Sequence, residues 1–280
     1  MSSESLQVKA LRGAILLLPA VLVVAFLASG LVSLLELTFH RGTHVLQETL
    51  GRPDYVDTII RTHVISAMVT LTCIALGYPL ALYIARTKMP RSKLLLLVIL
   101  PWLVSIVVRC LGWITLLGPA GLINSILGEM GVGPWSLMFN TLGIVVATAH
   151  VLLPFMVLSV LTSVLQVHES LLEASNSLGV GDVRTFFSVT LPLTLPGVLS
   201  GSVLVYLSSC GSVITPLLMG GLRQKMVGTQ IYTDTFTFFD FEKAGSMAVL
   251  LVVTGMAVVI PLTLLEKHLT RRISVGKEMA

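Results

Sequence analysis

Between Glu169 and Pro192 the chain sets Glu173, Ala174, Ser175, Leu178, Gly179, Gly181 and Asp182 between two long apolar stretches. Residue types decide what this segment can do. It offers no nucleophile beside a general base and no metal-ligating cluster, so it has no catalytic chemistry of its own. What it offers is a grip. Good helix formers from Glu169 to Leu178 predict a short helix, with Leu171, Leu172 and Leu178 near one face. Gly179 supplies the left-handed stop that ends many helices, and Gly181 adds a second flexible point. Asp182 is placed to cap a second short helix carrying Phe186 and Phe187, which Leu191–Pro192 brings to an end. The expected product is a compact knob, pinned at both ends, that a soluble partner can seize and push.

The other reactive side chains are scattered. His40, His44 and His63 lie 4 and 19 residues apart with no cysteine nearby, a spacing that fits no zinc framework. Cys73, Cys110 and Cys210 each fall within or beside an apolar run and match no disulfide pattern, so they read as small buried apolar groups. Arg109 is the one formal charge inside an apolar segment. A centrally placed arginine costs about 2.5–3.5 kcal/mol on insertion scales. It is therefore a snorkelling or helix-packing group, or else a gate or solute contact. It suits a carboxylate or phosphonate and repels a polyamine. Trp102 and Trp113 nearby read as interface anchors or as walls for a cation. His150 reads as a neutral histidine bonded to a backbone carbonyl. The run from Gly197 to Ser212 is dense in small and hydroxylated residues, Ser208 and Ser209 among them. Gly197 and Gly201 share a face that favours close helix packing, and another part of that face is expected to line a polar passage. No cofactor, metal or nucleic-acid partner is expected.

These residues need elements to position them, and composition says which. Of 280 residues, 55% are apolar and 11% charged, against roughly 25% charged in soluble domains. Six segments, 13–35, 64–85, 94–116, 141–165, 195–219 and 244–265, approach the roughly 20 apolar residues that a spanning helix needs. No acidic residue falls in any of them. The first run is too long for a secretion-signal core and is expected to be retained. Prolines 19, 79, 101, 154, 216 and 261 bend rather than end helices in lipid. The expected fold is all-α, a single six-helix transmembrane domain over residues 1–280 with a polar loop at 166–194. Loops 36–63, 117–140 and 220–243 face the other side, the second with a short surface helix around Asn124–Leu127. Lys and Arg number eleven on the side of the two tails and the Glu173 loop and six on the other, which places both ends and the knob in the cytoplasm.

The loop resembles the signature of permease subunits of binding-protein-dependent ABC importers: Glu-Ala-Ala, a glycine about four residues later, then aliphatic-x-Leu-Pro. Here it reads Glu173-Ala174-Ser175, Gly179, and Val189-Thr190-Leu191-Pro192, with serine at the third position. The segments Leu153–Met156, Leu191–Gly197 and Leu218–Gly221, with Arg109, Trp113 and Gly121–Asn124, look most like the spermidine/putrescine branch of that family. The resemblance implies the type I importer permease fold in a bacterial inner membrane. It implies that the Glu173 helix is a coupling helix seated in a groove of an ATP-binding subunit dimer, with Glu173 meeting a basic residue there and Gly179 letting the backbone turn close to that surface. It also implies a second, related but non-identical permease subunit and an external solute-binding protein. The chain has no Gly-x-x-x-x-Gly-Lys-Ser/Thr phosphate loop, so hydrolysis falls to a partner. The cargo it implies is a small organic solute, a polyamine first; opines, aminoalkyl phosphonates and amino-acid-like ions are alternatives. A secondary transporter would be expected to hold an acid in its spans, and none is present. A mere enzyme anchor would not need bent spans, a serine-rich fifth helix and a hinged knob together.

Overall fold

A computed structural model describes residues 3–39, 44–221 and 223–278, and every regular element among them is helical. The order is α1 (Ser3–Phe39), α2 (His44–Gly51), α3 (Pro53–Arg86), α4 (Arg91–Leu103), α5 (Ile106–Leu117), α6 (Leu122–Glu129), α7 (Thr141–Val164), α8 (Glu169–Ser177), α9 (Asp182–Thr185), a π turn (Phe186–Thr190), α10 (Leu191–Cys210), α11 (Ile214–Met219), α12 (Val227–Phe236) and α13 (Phe241–Glu278). Five stretches are long and apolar enough to cross a membrane: Pro53–Arg86, Ile106–Glu129, Thr141–Val164, Asp182–Cys210 and Phe241–Thr270. A shorter apolar stretch, Leu17–Gly30, lies in α1.

The core sits where α7 packs between α3 and α10. Val69, Cys73 and Ile84 of α3 meet Met156, Val157 and Val160 of α7, with Val205 of α10, all fully enclosed. Small residues set how close these helices come. A Cβ on Gly197 would run into the Ser163 side chain and the Ser159 carbonyl, and one on Gly201 would reach the Met156 sulfur. Ser159 and Ser200 bridge the same contact by a hydroxyl hydrogen bond of 2.9 Å. Glycine and serine thus let backbones approach where lipid offers no hydrophobic drive for association. By contrast α1 turns a continuous apolar surface outward, Phe26 being 76% exposed.

Three boundaries depart from the sequence expectation. The second span begins at Pro53, not 64, because Pro53 fits the first helical turn and Asp54 favours the positive end of the helix dipole. The segment 94–116 is not one helix. It breaks at Val104–Ser105, three residues after Pro101, where Val104 takes an extended backbone and the Pro101 carbonyl accepts from the Arg109 side chain instead of from the backbone. The segment 195–219 starts earlier and breaks at Gly211–Val213. Pro192 does not close the knob, since it directly follows the π turn, where Leu191 N–H bonds five residues back to the Phe186 carbonyl and the helix runs on past the proline. Asp182 to Cys210 is therefore one unbroken helical column through the π turn.

Candidate functional site

The knob assembles Glu173, Ala174, Ser175, Leu178, Gly179 and Gly181 at one end of the bundle. Gly179 closes α8 with φ +74°, its N–H bonding to the Asn176 carbonyl while Val180 N–H bonds back to Ser175. This paired closure needs a left-handed residue, which only glycine adopts freely. Gly181 instead takes an ordinary extended conformation as the residue before α9, and Asp182 stands in the first turn rather than capping it. Ser175 is buried, its hydroxyl 2.7 Å from that of Thr185. The hydroxyl at the third signature position thus pins the two arms of the knob together. Glu173 and Ala174 face outward. So do Leu178, 81% exposed, and Val183, 73% exposed. Arg86, at the end of α3, shares a small cleft with Leu172, Asn176 and Asp182, so α3 reaches the knob. Tyr78 of α3 fixes the column above it, bonding Thr194 at 2.8 Å and meeting Phe186 edge to face.

A second constellation lies at the depth of the two helix breaks. A cavity of about 320 Å³ is lined by Ile106, Thr148, Leu152, Ser208, Ser212 and Thr215, among others. Broken helices at membrane depth persist where they line a cavity or are covered by protein. The hydroxyls of Thr148 and Ser209 are buried with no partner among the described residues. Ser208 opens into this space, whereas Ser209 points into the packed interior beside it. Arg109 and Trp113 do not line the cavity. Arg109 donates through Nη1 to the Pro101 carbonyl at 2.7 Å, placing its charge at the C-terminal end of α4, where the break frees acceptors. Its Nε is buried without a partner. Trp113 donates to His150 Nδ1 at 3.4 Å, so His150 is bonded to an indole rather than to the expected carbonyl.

The description "binding-protein-dependent transport system inner membrane component" matches residues 13–275. The chain belongs to that family. It is an importer permease subunit, and relatives agree across most of its length. The spermidine/putrescine transport system permease protein PotB of Salmonella typhimurium is 31% identical over 74% of this chain and 74% of its own. The molybdenum transport system permease protein ModB of Mycobacterium bovis is 31% identical over 87% of this chain and 90% of its own. Among solved structures, a chain of a bacterial alginate ABC transporter, in complex with alginate pentasaccharide-bound periplasmic protein, aligns with a TM-score of 0.78 at 19% identity, over 96% of this chain and 97% of that one. The all-helical importer permease fold is thereby established.

Other residues singled out in the permease's sequence have structural employment. His63 lies inside α3, not in a loop. Both its ring nitrogens are engaged, Nδ1 with the Tyr206 hydroxyl at 2.7 Å and Nε2 with Thr254 at 2.8 Å. His40 falls outside the described residues. Cys73, Cys110 and Cys210 are free and buried. Trp102 packs edge to face on Phe155, holding α4 to α7. Asp234 is only 1% exposed, accepts from the Gln230 amide at 2.8 Å, and leaves Oδ2 unpartnered. Burial pushes its carboxyl above the ordinary range, against the pull of Gln230. Thr148 and Thr215 escaped sequence reading, since a lone threonine in an apolar helix carries no positional signal. The clue lay in Gly211 and Pro216 flanking hydroxyls, which marks a break.

Proposed function

We propose that this permease forms one half of the translocation pathway of an ABC importer and takes its drive through the knob at Glu173. The observation that carries this reading is a pair of large apolar side chains held in the open at the knob, Leu178 at the end of α8 and Val183 in the first turn of the Asp182–Cys210 column. Water does not favour such a surface, so a protein groove is its fitting environment. An ATP-binding subunit dimer supplies that groove and the hydrolysis. Closure of the dimer on ATP draws the knobs together, tilts the spans as rigid bodies and exchanges the open side, which is hinge-type alternating access. Glu173 contributes a charge-assisted contact. A second permease chain completes the passage, and an external solute-binding protein delivers the cargo. The knob side is cytoplasmic by the Lys and Arg distribution.

The cavity at the helix breaks, with Ser208 on its wall, is the proposed passage. Its cargo is a small organic solute. The polyamine reading rests on the likeness to PotB. A second reading, a small organic anion such as an aminoalkyl phosphonate, is favoured by Arg109, a cation set in an otherwise uncharged apolar run. The likeness to ModB keeps the cargo class open between the two. Asp234 is buried and Asp240 is paired with Lys243 at 2.8 Å, so neither stands as an open carboxylate for a cation.

The test is ATP-driven uptake in proteoliposomes holding the whole complex. Glu173→Ala and Gly179→Asp should each lower uptake and co-purification of the ATP-binding subunit; wild-type values for both would falsify the coupling assignment. The ligand carried by the cognate binding protein decides the cargo. Arg109→Gln should impair uptake of an anion at normal membrane abundance.

A further inference from the structure

His63 stands about ten residues inside α3, roughly 15 Å from the helix end remote from the knob. Its ring joins three helices. Nδ1 lies 2.7 Å from the Tyr206 hydroxyl of α10, and Nε2 lies 2.8 Å from the Thr254 hydroxyl of α13. The partners decide which nitrogen carries the proton. Thr254 has one hydroxyl proton and donates it to the Leu250 carbonyl at 2.7 Å. Toward the ring its oxygen can therefore only accept, so Nε2 carries the N–H. Nδ1 of the neutral ring is then bare and accepts from the Tyr206 hydroxyl. Tyr206 is only 5% exposed and stacks beside the imidazole, the two ring planes 16° apart. The neutral imidazole thus satisfies every polar group in the junction. A second proton undoes this, because a ring protonated on both nitrogens can only donate. Tyr206 would have to accept at Nδ1 and turn its own proton toward the Cys210 thiol, a weak acceptor one turn further along α10. The new charge would also lack a counter-ion. One turn either side of His63, α3 carries Ile59, Ile60, Ser66 and Ala67. The nearest charges along that helix, Asp57 and Arg61, line a basin that His63 does not line. On α10 the titratable groups facing the ring are Tyr206 and, behind it, Cys210, and α13 has no ionisable side chain from Ala244 to Leu265.

We infer that His63 is a positioning residue for transport, acting through Tyr206 and Thr254 and only as the neutral imidazole, so that acid on the face remote from the knob slows flux. The inference rests on the importer reading and adds to it a residue and a pH dependence. Tyr206 sits one turn before the Asp182–Cys210 column ends, and Ser208, two residues on, lines the cavity. The junction therefore holds the cavity end of that column to α3 and α13. Charging the ring breaks the hold at the level where the column meets the passage, a local electrostatic event read out in the movement of whole helices.

The experiment uses the complete complex in proteoliposomes with ATP enclosed. Uptake from the loaded binding protein is measured at an external pH of about 7.5 and of about 5.5, either side of the usual histidine range. Wild-type uptake should fall about fivefold at the acid value. His63→Gln keeps an acceptor and a donor side by side but cannot charge, so it should stay within about twofold of wild type at the higher pH and lose most of the fall. His44→Gln, at the exposed start of α2, should keep the wild-type profile. Wild-type uptake that ignores pH, a fall in His63→Gln equal to that of wild type, or a fall abolished by His44→Gln would overturn the inference. Where His63→Gln fails to assemble, NMR of isotope-labelled histidine in the wild-type and Tyr206→Phe complexes decides. Tyr206→Phe should move the Nδ1 signal of one neutral ring protonated on Nε2. A moved ring in the other tautomer, or no ring moved, would overturn the inference equally. A wild-type complex with no ATP-driven uptake at either pH would remove the importer reading itself, a result distinct from these.

Discussion

The knob and the cavity at the helix breaks place side chains against their solubility in opposite senses. In the knob, Leu178 and Val183 stand in the open on a polar segment. At the breaks, Thr148 and Ser209 bury hydroxyls without partners inside an apolar bundle. Each arrangement costs free energy in the isolated chain: exposed apolar area on one side, lost hydrogen bonds on the other. The comparison teaches what is absent from each place. A surface that wants covering points to a protein, and an interior that wants hydrogen bonds points to water or a polar solute in transit.

The comparison can be broken most directly at the knob. Leu178→Asp should weaken attachment of the ATP-binding subunit by about 2 kcal/mol, near thirtyfold, and stop uptake, as a co-purification assay with parallel flux would reveal. Retained attachment would mean that the exposed apolar surface faces something else. Next comes the cavity. Ser208→Leu should fill it and cut flux about tenfold, while attachment of the ATP-binding subunit stays as in wild type. An equal fall in both would erase the distinction between the regions.

Asp234 sharpens the cavity side, since its Oδ2 is a buried polar atom with no partner among the described residues and does not line that cavity. Its carboxyl is held above the ordinary range by burial. The folded state therefore retains a proton that the unfolded chain releases, and stability falls as pH climbs from the usual carboxylate range through the raised one. Above it, the ionised group carries its full burial cost. Asp234→Asn keeps the Gln230 contact, removes that cost, and should raise the melting temperature at neutral pH by a few degrees while flattening this part of the pH profile, with flux unaltered. The smallest effect belongs to Ser175→Ala. It removes the 2.7 Å bond between the arms and leaves the Thr185 hydroxyl only its 3.5 Å bond to the Val180 carbonyl, for a local cost of about 1 kcal/mol, and hydrogen exchange across residues 175–185 should rise with little change in flux.

Spans and knob were legible because their signals are local. Long uncharged runs mean lipid, and a glycine after ten helix formers means a left-handed stop, which Gly179 adopts. What escaped depended on distant partners. The split of 94–116 follows from Pro101 together with Arg109, which reaches back across the break to hold the freed carbonyl. The end expected at Leu191–Pro192 was misjudged because a π turn immediately before the proline lets the helix continue through it. His63 looked like loop chemistry until Tyr206 and Thr254, from two other helices, claimed both nitrogens. The cavity needed two breaks to coincide, and no single segment announces that.

Because Asp182 to Cys210 is one helical column, the knob's second arm joins the fifth span through continuous backbone, with the π turn at Phe186–Thr190 between them. The column's 29 residues extend about 43 Å, so a swing of about 10° at the driven end displaces the other by about 7 Å. That other end stops at Gly211, against the wall of the cavity. On the proposed coupling at the knob, a modest stroke there would reach the cavity wall enlarged to the width of a small solute.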